Sequence, residues 1–217
     1  HRGALTGAGV SLVGTNRDVA DYLAEEVLSR LPAETVTFLL ATSVVDRFCA
    51  SLAGELSGVK DPLTVLESIE RQELFLSPLD QDRQWYRYHD LFREFLRARL
   101  ERSEPGAVSD LRRRAAEWFA QHGMLLDGAI AYLRAGESWN AAALTERAAE
   151  QLLLRDGETL TLIRMVEQLP RDVLREFPTL QMFQAWALVL VGRLDDAERI
   201  AGDLEGAGAR GPREQVP

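Results

Sequence analysis

His89 is the residue whose setting could support chemistry. It closes the aromatic run Trp85-Tyr86-Arg87-Tyr88 and stands directly ahead of Asp90-Leu91-Phe92-Arg93-Glu94-Phe95-Leu96. The run reads as a strand and the stretch after it as an amphipathic helix. Asp90 is expected to N-cap that helix by accepting from the amides of Phe92 or Arg93. The imidazole before it is then fixed at a helix N-terminus, where a phosphate group is electrostatically favoured. By composition alone, a lone histidine at a strand end more often serves structure than function.

No other group of residues offers chemistry of its own. His1 and His122 are far from His89 in sequence and lack metal-ligand spacing. No Gly-x-Ser-x-Gly elbow is present, and the single lysine, Lys60, follows Ser57-Gly58-Val59 without the glycine-rich run of a phosphate loop. The carboxylate pairs Glu25-Glu26 and Asp195-Asp196 point about 100° apart on a helix and read as solvated surface. Cys49, alone among apolar neighbours, reads as an inert core thiol. The expectation is a non-enzymatic segment with no catalytic residue, no metal and no cofactor of its own.

The elements that must position His89 precede and follow it. Val19, Tyr22, Leu23, Val27 and Leu31 repeat with helical period from Asp18 to Pro32, and Phe38-Leu39-Leu40 lies in a second helix. A third spans about Ala50 to Leu56 and is closed by Gly58. Asp61-Pro62 supplies an N-cap and a first-turn proline for a fourth, Leu63 to Gln72. Leu74 to Leu79 and the aromatic run, joined by Asp80-Gln81-Asp82-Arg83-Gln84, form a hairpin. Helices, a hairpin, then a helix is the order of a winged-helix module.

Beyond the break at Ser103-Glu104-Pro105-Gly106 the pattern is helical. Leu111, Ala115, Trp118, Phe119 and His122 share one face. Gly123-Met124-Leu125-Leu126-Asp127-Gly128 resembles Gly192-Arg193-Leu194-Asp195-Asp196-Ala197, with Gly157 near the midpoint, a helix-pair period of about 34 residues as in tetratricopeptide arrays. Trp118, Phe119, Tyr132, Leu133, Trp139, Phe183 and Trp186 are expected to pack between helices. The fold class expected is mainly α, a winged helix with one β-hairpin followed by antiparallel, TPR-like helix pairs. The expected domains are residues 1–17 as the tail of a preceding region, 18–104 as the winged helix, and 105–217 as a helical arm and repeats.

Charge narrows the partners. The chain has 217 residues, is 46% hydrophobic and carries a formal charge of −9, so it can bury a core and exerts no global pull on nucleic acid or anionic membrane. The helix in the recognition position, Lys60 to Glu73, holds four acids and two bases, and the hairpin tip is acidic too, so no direct nucleic-acid contact is expected. Arg112-Arg113-Arg114 is flanked by Asp110 and Glu117 and reads as a solvated face. No apolar run approaches the roughly 20 residues that cross a bilayer, and no signal-peptide pattern opens the chain, so a cytoplasmic location is expected. The chain opens on His1 in a Gly-rich stretch and reads as cut from something longer.

Four stretches then carry a resemblance: Asp21-Tyr22-Leu23-Ala24-Glu25-Glu26-Val27-Leu28, Phe38-Leu39-Leu40-Ala41-Thr42-Ser43-Val44-Val45-Asp46-Arg47, Trp85-Tyr86-Arg87-Tyr88-His89-Asp90-Leu91-Phe92, and Arg114-Ala115-Ala116-Glu117-Trp118-Phe119. Together they resemble the region after the nucleotide-binding domain in MalT-type regulators of the LuxR class, signal-transducing ATPases with numerous domains. The resemblance runs from about Asp18 to Leu204. It implies an order of ATPase domain, winged helix, helical arm, helical-repeat sensor and C-terminal helix-turn-helix, of which this chain holds the middle. Tyr88-His89-Asp90 also resembles the Met-His-Asp motif of nucleotide switches in plant immune receptors and apoptosome proteins, with Tyr in place of Met. That resemblance implies a contact from His89 to the β-phosphate of ADP in the full-length protein, with ADP or ATP as the parent's cofactor.

The function expected is therefore the regulatory middle segment of an ATP-dependent transcriptional regulator. It would be autoinhibitory, binding its own ATPase domain in cis and an inducer or inhibitor protein through its repeats. Self-association is expected where the last repeat lacks a polar cap. Two alternatives stand beside this reading, a regulatory segment of a bacterial serine/threonine kinase and a stand-alone helical scaffold.

Overall fold

The computed structural model describes residues 26–72 and 75–208, and most of the expected helix from Asp18 to Pro32, together with Leu74 of the hairpin, lies outside them. The structure is mainly α, with one antiparallel hairpin. It divides into two compact units between Val108 and Ser109.

In the first unit, α1 (Ala33–Thr42), α2 (Ala50–Ser57) and α3 (Pro62–Arg71) precede strands β1 (Leu76–Pro78) and β2 (Tyr86–Tyr88) and helix α4 (Asp90–Ser103). Gly58, at φ +71°, ends α2, and Asp61 caps α3 through the Thr64 amide at 3.2 Å, with Pro62 in the first turn. These local signals were in the sequence and act as expected. The hairpin register pairs Leu76 with Tyr88 and Pro78 with Tyr86. Its turn is tied by the Asp80 carboxylate, which accepts from the Gln84 and Trp85 amides at 2.8 Å each. On the other edge of β2, Phe48 and Tyr86 exchange backbone bonds of 3.0 and 2.8 Å, so the segment before α2 acts as a third short strand.

Aromatic rings fill this unit. Phe48 is fully buried and lies 5.0 Å from Tyr88, 6.2 Å from Phe38 and 6.4 Å from Tyr86, ring centre to ring centre. Tyr88 meets Phe92 edge-on at 5.8 Å. The period-2 alternation of Tyr86-Arg87-Tyr88 sends both tyrosines inward and Arg87 outward.

The second unit is built of helix pairs. After α5 (Ala107–Gln121) come α6 (Leu125–Ala135), α7 (Ser138–Glu150, continued by a π-turn over Gln151–Arg155), α8 (Thr159–Glu167), the short α9 (Arg171–Leu174), α10 (Pro178–Leu190) and α11 (Leu194–Gly208). Gly123 and Gly192 turn the first and last pairs at φ +76° and +78°. In both turns the next amide reaches back five residues, Met124 N to Phe119 O and Arg193 N to Leu188 O, each 2.9 Å. This is a Schellman closure, which needs a left-handed residue and so selects glycine. Gly136 closes α6 in the same way, at φ +82° with Glu137 N to Tyr132 O at 2.9 Å, whereas Gly157, at φ +68° after the π-turn, makes a wider turn in which the Glu158 amide reaches back six residues to Leu152 O at 2.7 Å. The turn at Gly123 thus recurs at Gly192, and the turn at the midpoint between them is of another kind.

The core of this unit runs through Leu152, Leu162, Ile163, Val166, Leu180 and Leu188. Gly128 lets α6 approach its neighbours: a Cβ there would stand 2.8 Å from Leu144 Cδ1 and 3.1 Å from the Ala116 carbonyl. The Glu146 carboxylate on α7 accepts from the Leu180 amide at 3.2 Å and so caps α10 from the preceding pair.

Three expectations are corrected. His89, not Asp90, occupies the N-cap of α4, and Asp90 is its first helical residue. The Asp90 carboxylate instead accepts from Arg93 at 3.2 Å, because the bend between strand and helix comes one residue earlier. Trp186 and Trp139 are 53% and 55% exposed, so neither packs fully between helices; each lies against one partner ring, Phe183 at 6.3 Å and Phe177 at 5.7 Å. Trp186 fell to the wrong face because its neighbours Ala187 and Leu188 take the buried positions. Cys49 is half-buried at the N-cap of α2, with Sγ 3.2 Å from Ser51 Oγ, and is no core thiol.

Candidate functional site

Two anchors determine where His89 stands. The first is the buried residue before it. Tyr88 is 2% exposed, and its hydroxyl lies 2.7 Å from Thr42 Oγ1. Thr42 in turn donates to the Phe38 carbonyl at 2.7 Å, so the tyrosine hydroxyl serves as donor to Thr42 and β2 is pinned to α1. Burial keeps the phenol neutral, pushing its pKa far above the ordinary tyrosine value against a smaller opposing effect of the Thr42 bond. A tyrosine at this position thus has a partner that a methionine would not use.

The second anchor is Arg93. Its guanidinium pairs with Asp46, in the segment between α1 and α2, and with Asp90 in the first turn of α4. The Arg93 side chain is 21% exposed, so this clamp is partly shielded from solvent and holds the start of α4 against the rest of the unit. It joins two of the stretches that carry the resemblance, the one ending at Asp46-Arg47 and the one containing His89-Asp90.

Between these anchors the His89 side chain is exposed. Its backbone amide donates to the Phe75 carbonyl at 2.8 Å, and its side chain makes no capping bond to α4. Phe75 itself has a left-handed φ of +51°, a conformation that costs a side-chain-bearing residue about 1–3 kcal/mol and that concentrates at functional junctions. His89 faces an open groove of about 690 Å³ between α3 and β1. Glu67, Glu70 and Arg71 line it from the helix and Arg83 from the hairpin turn. Arg83 approaches Glu70 at 3.6 Å across it. The two acids and two arginines balance, and the imidazole is the remaining titratable group on the rim. Burial, with Glu70 second, raises the Tyr86 phenol beside this groove.

The arrangement can present a histidine at a helix N-terminus to a group arriving from outside. Sequence reasoning found His89 and missed Thr42, Arg83 and the Asp46–Arg93–Asp90 clamp. Thr42 was visible as a hydroxyl at the end of an apolar helix, but its partner is 46 positions away. Among the described residues no three His, Cys, Asp or Glu side chains gather as metal ligands, and no helix is long and apolar enough to cross a membrane.

Residues 24–108 match the model of the MalT winged helix domain. The serine/threonine-protein kinase PknK of Mycobacterium tuberculosis is 36% identical over 182 residues, covering 84% of this chain and 16% of the kinase. The HTH-type transcriptional regulator MalT of Vibrio cholerae is 36% identical over 180 residues, 81% of this chain and 19% of that protein. MalT of Cronobacter sakazakii is 31% identical over 217 residues, 94% of this chain and 23% of that protein. The chain therefore spans less than a quarter of each of these relatives. Residues 24–108 therefore belong to the MalT winged helix domain family, and the chain as a whole is similar to MalT regulators and to PknK alike.

Proposed function

We propose that this chain is the regulatory middle segment of a larger ATP-dependent MalT-type transcriptional regulator, and that His89 couples the nucleotide state of a preceding ATPase domain to the helix pairs. The observation that carries the reading is the exposed imidazole at the N-terminus of α4, made rigid behind by Tyr88 and Thr42 and beside by Arg93. In the ADP-bound protein the imidazole donates to the β-phosphate, holding the winged helix against its own ATPase domain in an autoinhibited state. ATP in place of ADP, together with an inducer or loss of an inhibitor protein at the repeats, releases that contact. The segment is non-enzymatic, acts in the cytoplasm and makes no direct contact with nucleic acid.

Self-association belongs to the same reading, supported by the exposed apolar residues Trp186, Val189 and Leu190 on α10. Sedimentation that shows only monomer across a wide concentration range would remove it. A kinase setting for the same switch is favoured by the PknK match, which is as similar as MalT and covers as much of the chain. The parent gene discriminates the two, by a kinase catalytic loop upstream or a helix-turn-helix downstream.

The division of labour is tested by calorimetry. These 217 residues bind neither ADP nor ATP with micromolar affinity, since the phosphate cradle and adenine pocket belong to the ATPase domain. A micromolar affinity of the chain alone for ADP would overturn it.

A further inference from the structure

The helical unit contains a cleft that the reading above leaves unused. It has a volume of about 390 Å³ and lies among α8, α9, α10 and α11. Arg171, Arg175, Arg193 and Arg199 line it, against the acids Glu167, Asp196 and Asp203. Two of these acids are already neutralised. Arg193 reaches Glu167 at 2.9 Å and Asp196 at 2.6 Å, and Arg199 pairs with Asp196 as well. These contacts, the Arg193 hydrogen bond foremost, hold the Asp196 carboxyl below its ordinary range. Arg171, the first residue of α9, and Arg175, the residue just past its end, remain; they are four positions apart and hence on one side of this turn, and neither has an ion-pair partner among the described residues. Two open guanidinium groups facing one open acid, in a chain of charge −9, make a local inversion of sign.

A second, independent feature points the same way. Gln184 is 8% exposed and lines the cleft, yet its amide has no hydrogen-bond partner among the described residues. The side chain is otherwise enclosed, and its amide atoms, which are not among the fully buried unpaired ones, are open to whatever occupies the cleft. The neighbouring Gln181 is already engaged, its Nε2 donating to the Leu174 carbonyl at 2.8 Å. Gln184 is thus the amide held ready for something that enters the cleft.

We infer that this cleft binds a small metabolite bearing an oxyanion, a phosphate or a carboxylate, with Arg171 and Arg175 on the oxyanion and Gln184 on an adjacent polar group. The volume suits a small molecule and the guanidinium fork matches both anions. Such a ligand bridges α9 to α10 and stiffens the junction between consecutive helix pairs. The inference is independent of His89, which lies in the other unit.

The test is an NMR titration of the 217-residue chain, watching the Gln184 side-chain amide, assigned by its loss in Gln184→Leu. Inorganic phosphate and citrate are added separately, with ionic strength held constant by sodium chloride. The expected result is a saturable shift with phosphate, citrate or both. Arg171→Ala with Arg175→Ala weakens it by about tenfold or more, and Arg155→Ala, outside the cleft, leaves it unchanged. Saturation by phosphate alone assigns a phosphorylated ligand, and saturation by citrate alone a carboxylate. A shift that fails to saturate with either, or that persists undiminished in the double variant, overturns the site. Both arginines are exposed, so the double variant keeps the fold, checked by circular dichroism.

Discussion

At the scale of single residues, Tyr88 decides how firmly His89 is held. Its phenol is buried and donates to Thr42, and Thr42 keeps its own bond to the Phe38 carbonyl when the phenol is removed. Tyr88→Phe therefore costs about 1 kcal/mol near neutral pH, the net worth of one buried hydrogen bond, as urea unfolding will measure. The pH dependence has a definite sign. The folded-state pKa of Tyr88 is raised, so the folded protein keeps a proton that the unfolded chain loses above about pH 10. Stability attached to this group is complete below that pH and falls above it by about 1.4 kcal/mol per pH unit. Wild type and Tyr88→Phe should accordingly converge as the pH rises from 10 to 11; a constant gap would mean that the phenol ionises without opening the fold. Asp61 shows the opposite sign. Its carboxyl is held below the ordinary range, first by the Thr64 hydroxyl and then by the Thr64 amide, so its capping of α3 is present above the usual aspartate pKa and is lost as the pH falls through the lowered value. Asp61→Ala should abolish that acid-side dependence and lower the melting temperature at neutral pH.

At the scale of elements, the parts legible in the sequence were those governed by local rules. The Asp61-Pro62 start of α3, the Gly58 stop of α2, the hairpin and the glycine-marked helix pairs all follow from contacts within a few residues. What escaped was one residue of phase or a distant partner. Asp90 was misplaced by a single position at the start of α4, and Trp186 lies on the exposed side of α10 although Ala187 and Leu188 beside it are buried. The Thr42–Tyr88 and Asp46–Arg93 pairs span the unit and no local pattern announces them. The corrected placement of Trp186 has a measurable consequence: Trp186→Ala should change stability by less than about 1 kcal/mol, as surface substitutions do, whereas Leu188→Ala in the same helix should cost about 2–5 kcal/mol. Gly128→Ala should cost about 1–3 kcal/mol by forcing apart Leu144 and the Ala116 carbonyl. Equal effects of Trp186→Ala and Leu188→Ala in thermal unfolding would contradict the packing described for α10.

At the scale of the whole molecule, the chain joins a winged helix whose one exposed histidine sits on a rigid mount to a stack of helix pairs whose turns repeat. The backbone of His89 is held by Phe75, its preceding residue by Thr42 and its helix by Arg93; on the proposed reading, a mount of this kind would pass movement at the imidazole to α4 rather than absorb it locally. The candidate site was legible as one residue, because a histidine between an aromatic strand and a helix is a local pattern; its mount was not, because it is assembled from three distant segments. The most direct test of the account is ADP retention by the full-length parent protein carrying His89→Ala, measured as the rate of ADP release without inducer. If the imidazole holds the β-phosphate only in the closed state, its loss weakens the coupling by roughly 5- to 150-fold, so ADP leaves faster and the variant is active without inducer. Unchanged ADP release together with full inducer dependence would contradict the account and leave His89 as a structural residue of the wing.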